Sequence, residues 1–458
     1  MDLLNPFLGF MGKKDVDVVD ITLRMLKATS YRWPDFSLWV DGNLFHVKEI
    51  GELERLALKG KTCLCSTTLS IFQDSAIVLD GEIYNLEGRC KSEELFSLMK
   101  VREPNKIKNL DGNYAFAIMH DNSVTLVRDP IGIRPLYIAS DDRGHAFATE
   151  QKALLAASFR EIKSLKPGYL NIIDGNGLLE YEVYNLSEEL RTLQPFTEPS
   201  QEIASILLKN LRYAIMKMVK GKDVGVLFSG GLDSSILIKI LDDLGTEPEL
   251  LCVGLPMSKD VLRAKRVAEL LGLHINIREL DEEEIKEALP RIIQIIERRT
   301  PLDVSISTPL YFALEVAKER KLSRILVGQG ADEIFAGYKR YERIVEKGGY
   351  KLLRDELLKD FSQLHERNLE RDYNVYLANS VEPVYPYLDT AVVKCAFRIP
   401  IEEKLKREVT GYSRKHILRV AAKLLGMPEE VVNAPKLAIQ YGSGVWKIVK
   451  RVLKEMRQ

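Results

Sequence analysis

The sequence predicts a two-domain α/β protein: an α+β sheet domain, then a doubly wound parallel sheet with a helical C-terminal part. Three observations predict it. Short alternating apolar segments separated by turn signals fill the region up to residue 185, and β-branched runs alternate with amphipathic helical patterns from Gln201 to Gly328. A glycine turn, Ser229-Gly230-Gly231, joins one of those buried runs to a helix start.

In chain order, helical periodicity marks Val16–Thr29 and Ser92–Lys100. Alternation marks Ser75–Leu79, Tyr114–Ile118 and Val124–Val127, punctuated by Asp-Gly, Asp-Asn and Asp-Pro turns. Asn185–Ser200 holds two prolines and little periodicity, which predicts a linker over residues 186–200 between domains at 1–185 and 201–458. The pattern then reads Val224–Phe228, a helix to Leu244, Leu250–Leu255, a helix to Leu271, His274–Leu280, helices at Glu283–Glu297 and Pro309–Arg320, and Arg324–Gly328. Continuous apolar strands separated by helices belong to parallel sheets covered on both faces. After Gly337 the pattern is almost wholly helical.

A chain of 458 residues has room for two or three domains with real cores. Hydrophobic residues at 46% and charged residues at 29% indicate a folded chain rather than a disordered one. Lys+Arg and Asp+Glu balance at 66 each, so composition supports neither nucleic acid nor an anionic membrane as the main partner. With no secretory leader and no apolar run of bilayer length, the expected location is the cytoplasm. Five cysteines, an odd count, suit a reducing compartment. Cys63 and Cys65 have no further ligands at metal spacing, His46 being the nearest histidine, and are expected in the core.

The chemistry concentrates at Ser229-Gly230-Gly231-Leu232-Asp233-Ser234-Ser235. A buried strand, a glycine turn and a helix N-terminus leave backbone N–H groups without partners, in a dipole that favours an anion. Paired glycines let the backbone approach phosphate oxygens. No lysine follows at Walker spacing; Asp233, an oxygen ligand suited to Mg²⁺ riding on phosphates, stands in the turn instead. A second strand end, Gly328-Gln329-Gly330-Ala331-Asp332-Glu333, brings another carboxylate to the same sheet edge. Asp332 there either shares a metal with Asp233 or begins a helix whose dipole it complements.

The seven-residue string resembles the pyrophosphate-binding loop of the ATP pyrophosphatase superfamily, whose members cleave ATP between the α- and β-phosphates and adenylate a substrate. With Glu382-Pro383-Val384-Tyr385-Pro386-Tyr387-Leu388-Asp389 and Lys415-His416-Ile417-Leu418-Arg419 added, the chain resembles the asparagine synthetase B-type family. Gly81-Glu82-Ile83-Tyr84-Asn85, Arg128-Asp129-Pro130 and Phe147-Ala148-Thr149-Glu150 match segments of that family's glutaminase domain. The resemblance implies an Ntn-hydrolase-like α+β sandwich followed by an ATP pyrophosphatase domain. It implies ATP and Mg²⁺ as cofactors, a small-molecule carboxylate and an amine such as ammonia as partners, and a homodimer would fit it. By the same resemblance, Leu227, Ser229, Gly230, Gly231, Asp233, Ser234, Gly328 and Gly330 surround the nucleotide's phosphates, and Asp233 and Asp332 hold the metal. Val253 and Gly254 touch adenine, and Lys436, Gln329 and Glu382 are the candidate catalytic residues, Lys436 by stabilising charge on the phosphates.

The departures are as informative. A working glutaminase of the family begins with Cys, whose terminal amine activates the thiol. Here Asn5 stands at the matching position, Thr68 replaces an Arg that clamps the glutamine carboxylate, and Asp80 replaces an Asn that donates to the oxyanion. The expectation is a glutaminase that no longer works. On the acceptor side Gln329 replaces a Glu and cannot act as a base, and Ser305 and Val384 replace two Arg, which weakens the case for aspartate as the acid. The expected function is an AMP- and pyrophosphate-forming amide ligase using ammonia or, as in lactam synthetases, a substrate amine. The alternatives are a non-catalytic nucleotide-binding regulator and adenylation of a tRNA base, the latter disfavoured by neutral charge.

Overall fold

The computed structural model describes residues 4–29, 35–55, 59–86, 91–100, 107–219 and 223–456, so Cys90 lies outside the described residues. It divides into two compact units, Met1–Leu186 with Asn368–Tyr373, and Ser187–Arg367 with Asn374–Gln458.

Two antiparallel sheets build the first unit. One runs in the order Ile162–Ser164, Tyr137–Ser140, Gly144–Ala148, Phe7–Asp17, Lys59–Ser66, Phe36–Val40, Asn43–Val47. The other runs Gly177–Glu182, Tyr169–Asp174, Ser123–Arg128, Gly112–His120, Ser75–Ile83, Ser70–Phe72. Alternation sorts each strand's side chains to two buried faces. Phe7, Leu64, Ala76, Val78, Ala117 and Phe147 meet in a core shared by both sheets. Phe10, Cys63 and Cys65 point the other way, toward Ile21 and Met25 of the helix Val18–Ala28, while Ile77 and Phe116 pack with Leu95 and Phe96 of the helix Lys91–Lys100. Four layers result, helix, sheet, sheet, helix. The two cysteines are buried as expected, and burial pushes the Cys63 thiol up to about 12.

The second unit is a five-stranded parallel sheet in the order Ile275–Glu279, Glu249–Gly254, Val224–Leu227, Arg324–Leu326, Glu382–Val384. The chain starts at the central strand and winds outward through the helices Leu232–Asp243 and Lys259–Leu271. It then crosses by Glu282–Ile296 and Pro301–Glu319 to the other side. That reversal opens a crevice between the carboxyl ends of Val224–Leu227 and Arg324–Leu326, where such sheets bind ligands.

Three expectations change. The predicted linker contains a helix, Leu186–Thr192, that buries Leu186 and Leu190. The helix expected from Pro309 starts at Pro301, where the Thr300 side chain accepts from the Asp303 N–H and caps it. The stretch beyond Gly337 is not wholly helical: Glu382–Val384 adds an edge strand, and Leu405–Glu408 pairs with Gly411–Arg414 in a hairpin. Pro383 is tolerated because edge strands can spare a donor. Among the described residues no helix is long and apolar enough to cross a membrane.

Gly9 is glycine for a packing reason: a Cβ there would stand 2.3 Å from Cζ of Phe147 and 2.7 Å from the Cys63 carbonyl oxygen. Gly9→Ala is expected to destabilise by about 1–3 kcal/mol through overpacking. Combining it with Phe147→Leu should cost less than the sum of the two single changes, measured by urea unfolding.

Candidate functional site

The crevice gathers both glycine strings. The central strand ends at Leu227, Gly230 turns at φ +66°, and Gly231 caps a helix that begins at Leu232 with Asp233 in its first turn. Gly231, the N-cap, has no side chain to cap this N-terminus, which leaves its first backbone donors without a cap hydrogen bond among the described residues. Gly230 needs to be glycine twice over, for its left-handed φ and because a Cβ would lie 2.8 Å from the Arg263 carbonyl oxygen.

At the adjacent strand end Gly330, with φ +90°, starts the short helix Ala331–Ile334 that carries Asp332. Between the two acids lies the Lys415 ammonium, 2.6 Å from Asp233 Oδ2 and 2.7 Å from Asp332 Oδ1. Lys436 Nζ adds a contact of 2.5 Å to Asp332 Oδ2. Burial pulls the Lys415 pKa down, yet the two carboxylates outweigh it and hold the group above its ordinary value. Burial likewise pushes Asp332 up, but Lys415 and Lys436 dominate and hold it well below the usual carboxylate range. Neighbouring Glu333 goes the other way: burial and the Asp332 charge raise it to about 7, with the Tyr338 hydroxyl donating to it at 2.7 Å. Gly337 closes over the pair, since a Cβ there would fall 1.9 Å from Asp332 Oδ1 and 2.3 Å from Lys415 Cε.

The donor set suits Mg²⁺. Asp233 Oδ1 is buried and has no hydrogen-bond partner among the described residues. Two carboxylates, completed by phosphate oxygens and water, are what this ion takes in nucleotide sites. Among the described residues no group of three or more His, Cys, Asp or Glu stands together, so no site of the all-protein kind competes.

Two arginines, which the sequence reading gave no role, hold the walls. Arg263 Nε donates to the Ser229 carbonyl at 2.7 Å, Nη2 reaches Asp260 Oδ1 at 3.0 Å, and Nη1 donates to the Pro435 carbonyl at 2.9 Å, next to Lys436. Arg419 donates to the carbonyls of Arg414, at 3.0 Å, and of Val432, tying the turn before Lys415 to the Lys436 loop. The one local signal for Arg263 was its i, i+3 spacing from Asp260 on a helix, a spacing common to ordinary surface pairs.

The structure brings Ser229, Gly230, Gly231, Asp233, Gly328, Gln329, Gly330, Asp332 and Lys436 to this crevice, with Leu227 at its base. Ser234 is present, but its hydroxyl turns back to the Gly231 carbonyl at 3.2 Å. Three candidates are placed differently. The side of Gly254 where a Cβ would sit is filled by Ser258 Oγ at 2.7 Å and the Ser443 carbonyl at 3.1 Å, so no ring lies on that face, and Val253 is nearly buried. Glu382 pairs in register with Arg324, level with Val224, at the amino end of its strand and away from the crevice. A parallel strand sends its two ends to opposite edges, so Glu382 is not a member of this site. Ser305 is buried and donates to the Leu302 carbonyl at 2.9 Å, and Val384 is buried in the edge strand.

In the first unit, the N–H of Asn5 donates to Asp80 Oδ1 at 3.0 Å. The Tyr373 hydroxyl donates to Asp80 Oδ2, and the Arg134 guanidinium lies 5.2 Å over the Tyr373 ring. Asp80, fully buried, is thus engaged on both oxygens.

Fold and crevice together define a doubly wound α/β unit in one chain with a two-sheet sandwich. The family described as Asparagine synthase matches residues 207–351 and 345–458, and the one described as Glutamine amidotransferase domain matches 68–156. A protein of Methanocaldococcus jannaschii, named Putative asparagine synthetase 1 (glutamine-hydrolyzing), is 33% identical over 98% of this chain and 95% of its own. An asparagine synthetase 2 (glutamine-hydrolyzing) of Oryza sativa is 29% identical over 90% of this chain and 72% of its own, and asparagine synthetase B (glutamine-hydrolyzing) of Escherichia coli is 29% identical over 78% and 66%. The chain belongs to the asparagine synthetase family of ATP-dependent ligases.

Burial raises Asp260 to about 6, against the opposing pull of Arg263 and Lys436. The folded state therefore binds more protons than the unfolded chain between about pH 4 and 6, and the group's contribution to stability falls by about 3 kcal/mol as pH rises through that window. Urea unfolding across the window is expected to show this decline in the native chain and its loss in Asp260→Asn.

Proposed function

We propose that the chain is an amide ligase that activates a small carboxylate as an acyl-adenylate, releasing pyrophosphate, and passes the acyl group to ammonia or to a substrate amine, releasing AMP. The observation that supports this reading is the balanced pairing of Asp233 and Asp332 with Lys415 and Lys436 at the mouth of an uncapped glycine turn. In the first step a carboxylate oxygen bonds to the α-phosphorus as the bond to the bridging oxygen breaks, and pyrophosphate leaves with the electron pair. The N–H groups of the turn and the Lys436 ammonium meet the charge that gathers there, an effect of the oxyanion-hole kind. Bound by Asp233 and Asp332, Mg²⁺ would supply further charge neutralisation. In the second step the amine nitrogen bonds to the acyl carbon, the carbon–oxygen bond to AMP breaks, and the released proton goes to solvent because Gln329 has no basic lone pair to take it.

We also infer that glutamine is not the nitrogen source. Asn5 offers an amide carbonyl where a thiol is required, its nitrogen is a peptide N–H that donates rather than accepts, and Asp80 puts a carboxyl group where an oxyanion would form.

Pyrophosphate exchange into ATP, run with a pool of carboxylic acids and ammonia and followed by mass spectrometry, tests both inferences. Exchange is expected with the accepted acid whatever the nitrogen source, and an amide product with ammonia but none with glutamine; ATP binding without exchange for any acid would indicate a nucleotide-binding protein without catalysis, and glutamate released from glutamine would overturn the second inference. Lys436→Met is expected to lower the exchange rate by about 10²–10³, the usual cost of one charge-stabilising donor, with a far smaller change in ATP affinity. Asp233→Asn should weaken Mg²⁺-dependent ATP binding itself.

A further inference from the structure

We propose that the second unit binds a small organic monocarboxylate in a cavity that shares no residue with the nucleotide crevice. The cavity, about 230 Å³, has an apolar floor of Phe196, Leu357, Phe397 and Ile399 and two cations, Arg354 and Lys404. That volume exceeds by several fold the roughly 30 Å³ that a water occupies in the liquid.

Lys404 is the reason to look here. Its side chain is 2% exposed, and its recorded contact is the Phe397 ring, with Nζ 4.7 Å from the centroid. It forms no ion pair or hydrogen bond among the described residues. Lysine is almost never buried this deeply without a partner, because a desolvated ammonium is costly unless an anion compensates it. Burial and the nearby Arg354 charge together pull its pKa down to about 7, so the fold bears the cost of this group unrelieved. Arg354 is scarcely better satisfied: Nη2 reaches the carbonyls of Leu190, Arg191 and Leu193, each at 3.4 Å, the long limit of a hydrogen bond. Glu402 lines the mouth but is exposed and pairs with neither cation.

Two poorly met cations above aromatic and aliphatic walls select an anion with an apolar body. A carboxylate between them would offset their mutual repulsion and accept a charge-assisted hydrogen bond from Lys404, while its hydrocarbon part covers the phenyl rings. Inorganic phosphate would satisfy the charges and leave the walls bare. The proposal does not rest on the ligase reading.

Calorimetric titration of the full chain with benzoate and phenylacetate tests it, with benzamide as the neutral isostere and inorganic phosphate as the anion without an apolar body. Saturable binding of the carboxylates is expected, with benzamide and phosphate weaker. Lys404→Met should lower benzoate affinity by about tenfold or more, the cost of one charge-assisted hydrogen bond. The variant should fold, since replacing a buried charge by an apolar group of similar volume is neutral or stabilising. A readout that needs no variant is acetylation by acetic anhydride near pH 8, mapped by peptide mass: benzoate should slow the modification of Lys404 and benzamide should not. No saturable carboxylate binding, equal affinity for benzamide, tighter binding of phosphate, or unchanged benzoate affinity in Lys404→Met would each overturn the proposal. Asp233→Asn, which removes the crevice carboxylate, should leave benzoate binding unchanged, so failure of the ligase reading and failure of this one are told apart.

Discussion

One buried ammonium fixes the geometry of the second unit. Asp233 and Asp332 arrive at the crevice from different strand ends and would repel each other there; Lys415 lies between them and Lys436 takes the remaining oxygen of Asp332. Two negative and two positive groups leave the crevice near neutrality before any nucleotide enters. Removing one partner would strand a buried charge, which is why such networks are costly to break even where their net stabilisation is small. The order of the sheet makes the pairing possible, because only the reversal of winding sets these two strand ends side by side.

Backbone carbonyls help position the cations, beside two further acids, Asp260 on Arg263 at 3.0 Å and Glu342 on Arg414 at 3.2 Å. Lys415 sits in a left-handed conformation, φ 53°, at the end of the hairpin Leu405–Glu408 and Gly411–Arg414. Arg414 donates to the Gly337 carbonyl at 3.1 Å, and Gly337 itself presses on Lys415 and Asp332. Arg263 and Arg419 bind the loop of residues 432–435 from two sides, so Lys436 inherits its place from guanidinium forks bound to main-chain oxygen.

In the first unit Asp80 is the centre of a buried network: it accepts from the Asn5 amide and from the Tyr373 hydroxyl, and Tyr373 lies under Arg134. Both Asp80 oxygens accept hydrogen bonds, and Arg134 Nη1 stands 3.9 Å from Oδ1. The unit's core lies elsewhere, where Phe7, Val78 and Phe147 pack between the sheets.

Contiguous chemistry was legible in the sequence alone. The seven residues from Ser229 to Ser235 contain their own strand end, turn and helix start, and backbone geometry follows from them whatever surrounds them. The parallel sheet was likewise legible from runs such as Val224–Phe228, because strands buried on both faces must be apolar throughout. Leu186–Thr192 and Glu382–Val384 were not, the first being short and largely polar, the second carrying Pro383 on an edge. Tertiary structure alone decided which distant groups meet. Nothing local to Arg263 or Lys404 marks it out from other basic residues, and each takes its meaning from partners or walls supplied by remote segments. It also decided that Glu382 lies at the wrong end of its strand and that Gly254 is covered by Ser443. Pairing register and loop return are set by the packing of the whole sheet, and that information is distributed over the chain rather than written at any one residue.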